Sequence, residues 1–154
     1  MGDMHLNKHN FAQEEMMLFY ELSNKYYPNR KKEGIFLDLG ANIGTTCIYF
    51  KKKIDSDINI LAFEPLKENF KYLDINLRLN DITEGVTIEQ FGLAEKSYEK
   101  EISVLEGNPG GSSLIRDYGN MTRRSEVTNL ISLDEYFEKN NLKAKRISLE
   151  RKNK

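Results

Sequence analysis

The chain predicts an α/β fold built on a parallel sheet, and three stretches carry that expectation. Ile35 to Leu39 is a short apolar run interrupted only by Asp38; it leads into a glycine-spaced turn, Gly40-Ala41-Asn42-Ile43-Gly44, and then a helix-like segment. Asn59 to Phe63 is a second apolar run, stopped by Glu64-Pro65. Leu66, Phe70, Leu73 and Leu77 then recur at helical spacing before a third run, Val86 to Phe91. Apolar runs joined by helical stripes are the pattern of strands buried on both faces and linked by crossover helices.

The order of elements follows from local chemistry. Asn10, with Gln13 three residues later, is expected to cap a helix reaching about Lys25. Its stripe Leu18, Leu22 and Tyr26 is expected to pack on the body of the domain, and Pro28 with Arg30-Lys31-Lys32 leads out of it. The first core helix is expected from about Gly44 to Lys53. Lys51, Lys52 and Lys53 complement the dipole at its end, and Cys47 reads as a small packing residue. Asp55-Ser56-Asp57 turns the chain into the second strand. Pro65 announces the next helix, which Asn80-Asp81 ends. A short strand is expected over Glu101 to Leu105. The loop from Glu106 to Ser113 reads equally as a substrate-side element or a plain turn. Ser132-Leu133-Asp134-Glu135 reads as a capping box for a helix through about Lys139, and Arg146 to Glu150 alternates like a half-buried strand.

The glycine loop is where a ligand is expected. Gly40 allows close approach of the backbone, and Gly44 allows the first helix turn to pack on the sheet. Asp38 discriminates between ligands, because a carboxylate two residues before Gly40 would repel the pyrophosphate of a dinucleotide. Asn42 occupies the second glycine position of G-x-G-x-x-G, and no phosphate-binding G-x-x-x-x-G-K-[ST] loop occurs. S-adenosylmethionine carries no phosphate and is net cationic, so it is favoured over NAD. Glu64 follows Gly44 by twenty residues at the end of the second strand, where an acid can accept hydrogen bonds from a ribose diol. The bland alternative for Glu64 is to favour the start of the next helix. Gly92-Leu93 is expected where an adenine ring packs.

Composition narrows the classes. At 154 residues with formal charge −1, the chain is read as a helical segment over residues 1–32 and one domain over 33–154. It has no basic surface for nucleic acid and no apolar run long enough for a membrane. A lone cysteine, and the absence of an apolar signal core in the first ten residues, point to a soluble cytoplasmic protein. His5 and His9 share helical spacing, but nothing nearby completes a site, so no metal is expected.

Four motifs in order, Phe36-Leu-Asp-Leu-Gly-Ala-Asn-Ile-Gly44, Ala62-Phe-Glu-Pro65, Phe91-Gly-Leu-Ala94 and Ile131-Ser-Leu-Asp-Glu135, resemble the FkbM-type methyltransferases, a branch of the class I enzymes that use S-adenosylmethionine. The resemblance covers about Glu33 to Phe137. It implies a Rossmann-like sheet of strand order 3-2-1-4-5-7-6 and methyl transfer, commonly to a hydroxyl of a sugar or natural product. By position it places cofactor roles on Asp38, Gly40, Asn42, Gly44 and Glu64, and more weakly on Leu93; no catalytic residue is assigned. Family members continue into a strand ending in Asp-Val-Glu-Gly, where this chain has Ile147-Ser-Leu-Glu-Arg-Lys-Asn153. The expected fold is therefore incomplete, with strands one to three, a hairpin and a degenerate strand four.

Two other functions compete with catalysis: a cofactor-binding remnant without activity, and a dinucleotide-binding module. The expected partner is a small-molecule or saccharide acceptor. The edge of the first strand is expected to lie open, which favours self-association.

Overall fold

The computed structural model describes residues 13–26, 34–105, 123–142 and 146–151. A four-stranded parallel sheet organises it. β1 (Gly34–Leu39), β2 (Asn59–Phe63), β3 (Val86–Glu89) and β7 (Arg146–Arg151) lie in the order β3-β2-β1-β7. A second sheet has the order β4-β6-β5, from β4 (Gly92–Ala94), β5 (Tyr98–Leu105) and β6 (Arg123–Ser132), with β5 and β6 antiparallel. The strand expected over Val86 to Phe91 is thus shorter: β3 stops at Glu89, and a separate strand, Gly92 to Ala94, pairs parallel with Leu130 to Ser132.

Side chains of the parallel sheet alternate between two cores, as the period of a strand requires. Phe36, Ile60 and Ala62 face a cluster with Cys47, Ile48, Phe50, Leu73 and Leu77. These come from α2 (Thr45–Tyr49), which widens into a π-helical turn over Phe50–Ile54, and from α3 (Lys67–Leu79). Phe36 stacks on Phe50 with ring centroids 4.3 Å apart. On the other face Leu37, Leu61 and Phe63 meet Tyr136 of α4 (Leu133–Lys139). The π turn ends where Asp55 N–H donates to Phe50 O at 2.8 Å, and Lys51 Nζ reaches over to donate to Ser56 O and Ile58 O.

α1 (Gln13–Tyr26) corrects the expected packing face. Leu18, Leu22 and Tyr26 are 56%, 45% and 66% exposed, whereas Met16 is buried and Phe19 and Tyr20 pack beside it. Residues 16 to 20 are all apolar or aromatic, so spacing does not select a side; Phe19 meeting the edge of Phe36 at 5.8 Å does.

β1 is also not an open edge. Its six residues pair in full register with β7, from Gly34 opposite Arg146 to Leu39 opposite Arg151. Asn10, His5, His9 and the loop from residue 106 to 113 lie outside the described residues.

The second sheet docks on the turn between β2 and α3. Leu66 packs with Ile102 and Val104. Thr128 Oγ1 donates to Pro65 O at 3.1 Å, and Glu126 Oε1 accepts the Lys67 N–H at 2.8 Å. The Ser132 hydroxyl caps α4 by accepting the Glu135 N–H, and Ser97 completes the box: its Oγ accepts the Ser132 N–H and donates to Glu135.

Candidate functional site

The site is built where β1 delivers its loop beside the carboxyl end of β2. Gly40 and Ala41 both donate their N–H to Phe63 O at 2.9 Å, which folds the loop back over the second strand. Asn42 N–H donates to Glu64 Oε2 at 2.8 Å. Gly44 N–H closes a turn onto Ala41 O, and Gly44 O accepts the Ile48 N–H that starts α2. From the far side, Asn76 Nδ2 of α3 donates to Ile43 O at 2.8 Å. Five of the six residues read from the sequence are therefore assembled here: Asp38, Gly40, Asn42, Gly44 and Glu64.

The two outer glycines do different work. Both have left-handed backbones, with φ of 87° at Gly40 and 89° at Gly44, and Asn42 between them has φ 55°. A Cβ at Gly40 would meet nothing within 4 Å, so the backbone there faces open space. A Cβ at Gly44 would lie 2.7 Å from Leu73 Cδ1. Gly44 thus admits α3 rather than the sheet, and Gly40 is the glycine that leaves room.

Both acids are buried. Asp38 is fully buried, and its Oδ2 accepts the Cys47 thiol at 3.3 Å. Cys47 is therefore a packing residue that also orients a carboxylate. Glu64 is 2% exposed, and its Oε1 accepts the Leu66 N–H at 3.1 Å and Asn69 Nδ2 at 3.3 Å. Glu64 therefore serves the first turn of α3 through one oxygen, as one of the two roles weighed for it requires, and through the other it latches the glycine loop, a contact that the sequence did not suggest.

Leu93 is placed differently. It sits in β4 opposite Ile131 and packs, half-buried, with the Leu37, Leu61, Phe63 and Tyr136 cluster. Gly92 is small because Leu130 and Pro65 lie against it; a Cβ there would be 2.6 Å from Leu130 Cδ2. Several contributors were not legible from pattern alone. Asn69 and Asn76 read as ordinary polar positions of a helix. Glu89 accepts the Tyr136 hydroxyl at 2.7 Å across 47 residues of chain. Burial and the neighbouring Glu89 carboxylate push the Tyr136 phenol well above its ordinary value, so it stays a donor.

The side chains around the loop are chiefly acceptors. They are the buried Asp38 and Glu64 carboxylates that flank it, and Asn42 Oδ1, a buried oxygen with no hydrogen-bond partner among the described residues. Acceptors suit hydroxyls and ammonium groups and repel phosphate. Among the described residues no cluster of three or more metal-ligating side chains occurs, and no helix is long and apolar enough to cross a membrane.

Comparison with known proteins decides the family. The family model "Methyltransferase FkbM domain" matches residues 38–149. The chain belongs to this family. Among individual proteins, methyltransferase sdnD of Sordaria araneosa is 35% identical over 92 residues, which is 60% of this chain and 35% of that protein. The FkbM methyltransferase structure from Methylobacillus flagellatus has a TM-score of 0.45 at 16% identity, over 78% of this chain and 29% of that one. An RNA methyltransferase of Salinibacter ruber, solved with S-adenosyl-L-homocysteine, has a TM-score of 0.42 at 13% identity, over 55% of this chain and 50% of that one. This FkbM-family chain thus spans about a third of the length of the curated relative it matches. The sheet order β3-β2-β1-β7 corresponds to the first four positions of the order implied by the resemblance, with β7 in the place of strand four.

Proposed function

We propose that the chain binds S-adenosylmethionine at the β1 loop and serves methyl transfer to a hydroxyl of a sugar or small natural product. The observation that carries this reading is the acceptor-lined loop latched to Glu64, with open space at Gly40. It meets the demands of a cationic nucleoside: room for close approach, carboxylates nearby, and an acid at the end of β2 for ribose hydroxyls. The same lining disfavours a dinucleotide, whose pyrophosphate would face two carboxylates.

Methyl transfer is an in-line displacement at the sulfonium carbon. The cofactor supplies the electrophilic methyl group; this chain's residues hold and orient it. Orientation of this kind can contribute roughly 7–11 kcal/mol to a bimolecular reaction. Asp38 and Glu64 supply negative potential beside the loop, and the buried Cys47 thiol suits a reducing, cytoplasmic setting.

Calorimetric titration of the full chain with S-adenosylmethionine, S-adenosylhomocysteine and NAD tests the reading. The first two should bind, and NAD should not compete. Tighter binding of NAD would overturn it. Transfer of a labelled methyl group to a panel of saccharide and small-molecule hydroxyls then tests the acceptor class.

A further inference from the structure

We propose that Asn69, which neither the sequence motifs nor the family resemblance marks, is a positioning residue for cofactor binding that acts through Glu64. The inference rests on the reading that the loop holds S-adenosylmethionine. Asn69 lies in the first turn of α3 and is fully buried. Its Nδ2 donates to Glu64 Oε1 at 3.3 Å, and the opposite orientation would set an amide oxygen against a carboxylate. Its Oδ1 is buried and has no hydrogen-bond partner among the described residues. A half-satisfied amide in this position costs stability, because burying a polar group without a partner is unfavourable. A leucine of similar size would avoid that cost. The bond to Glu64 is the feature that accounts for asparagine here.

What the bond fixes is the direction of the Glu64 carboxylate. Leu66 N–H and Asn69 Nδ2 together hold Oε1 toward α3. Oε2 is then turned toward the loop, where it accepts the Asn42 N–H at 2.8 Å. Asn69 thereby sets the position of Asn42, two residues beyond the open face at Gly40. Gly40 and Ala41 are held independently, through Phe63 O. The loop therefore contains its own control: one amide depends on Asn69 and two do not.

The test compares the full chain with Asn69→Leu and Asn69→Ala, by amide hydrogen exchange without ligand and by calorimetric titration with S-adenosylmethionine. The expected result is faster exchange at Asn42 with Gly40 and Ala41 unchanged, and weaker cofactor binding by roughly five- to thirtyfold. Both variants take a donor from the buried Glu64 carboxylate and should lower the melting temperature, but loss of affinity with Gly40 and Ala41 exchange unchanged is what a purely structural asparagine would not show. Unchanged affinity in both variants, or equal acceleration of all three loop amides, would overturn the proposal. Failure of the unmodified chain to bind S-adenosylmethionine would overturn the cofactor reading instead, and is distinguished because it precedes any comparison of variants.

Discussion

Asn42 and Glu64 are joined by a 2.8 Å hydrogen bond from backbone to carboxylate, spanning the gap between the loop after β1 and the end of β2. The acid that reads in sequence as a ribose ligand is thus also part of the loop's own framework. Glu64→Ala removes the acceptor for three donors, so it should weaken S-adenosylmethionine binding by about 1.5–3 kcal/mol and lower stability by a comparable amount. Titration and thermal unfolding on the same variant separate the two effects. Unchanged affinity would reduce Glu64 to its role at the start of α3.

The glycines should respond in opposite ways. Alanine at Gly44 combines left-handed strain with a 2.7 Å approach to Leu73 Cδ1, and should lower stability by more than the roughly 1–3 kcal/mol of strain alone. Alanine at Gly40 carries the strain but no clash, so its larger effect should fall on cofactor affinity. Equal losses of stability at both positions would contradict this division.

α1 offers a test that does not involve ligand. Met16→Ala should cost about 2–5 kcal/mol, as for other buried large-to-small changes. Leu18→Ser and Leu22→Ser remove exposed apolar groups and should change stability by under about 0.5 kcal/mol. Chemical denaturation of the three variants would show whether the Met16 face is the packed one.

Tyr136 predicts an alkaline limb. Its phenol is raised above the ordinary value of 10.0 by burial first, and then by Glu89, so the folded chain keeps a proton that the unfolded chain releases. That contribution is fully present below about pH 10 and is lost as the pH climbs beyond it. One of the eight tyrosines should therefore ionise late or together with unfolding in an absorbance titration. Tyr136→Phe should flatten the alkaline limb and cost about 1–3 kcal/mol at neutral pH, because Glu89 loses its donor. An unchanged alkaline limb would mean that the phenol titrates freely.

What could be read from sequence was local. Asn59 to Phe63 is a strand with the predicted bounds because an apolar run meets a proline two residues after its end, and both signals lie within a few residues. The glycine loop was legible for the same reason, although Gly44 makes room for Leu73 of α3 and not for the sheet. Contacts between distant segments were not. β6 begins at Arg123 and earns its place by pairing with β5 and by docking Thr128 on Pro65, neither of which leaves a periodic trace. Asn69 resembles any polar helix residue until Glu64 is seen beside it. Leu18, Leu22 and Tyr26 formed a valid stripe on a helix that is apolar on more than one side, and only Phe36 shows which side is covered.

The pairing of β1 with β7 also has a consequence in time. β1 is complete at residue 39, but the strand that covers its second edge begins at residue 146. At synthesis rates of about 5–20 residues per second, the central strand waits on the order of ten seconds for that neighbour. β2 and β3 can add to its other side within that interval, since their residues emerge sooner. The nascent chain therefore carries a half-built sheet with one unsatisfied row of backbone groups at its centre. Pairing with β7, made more than a hundred residues later, is what ends that exposure.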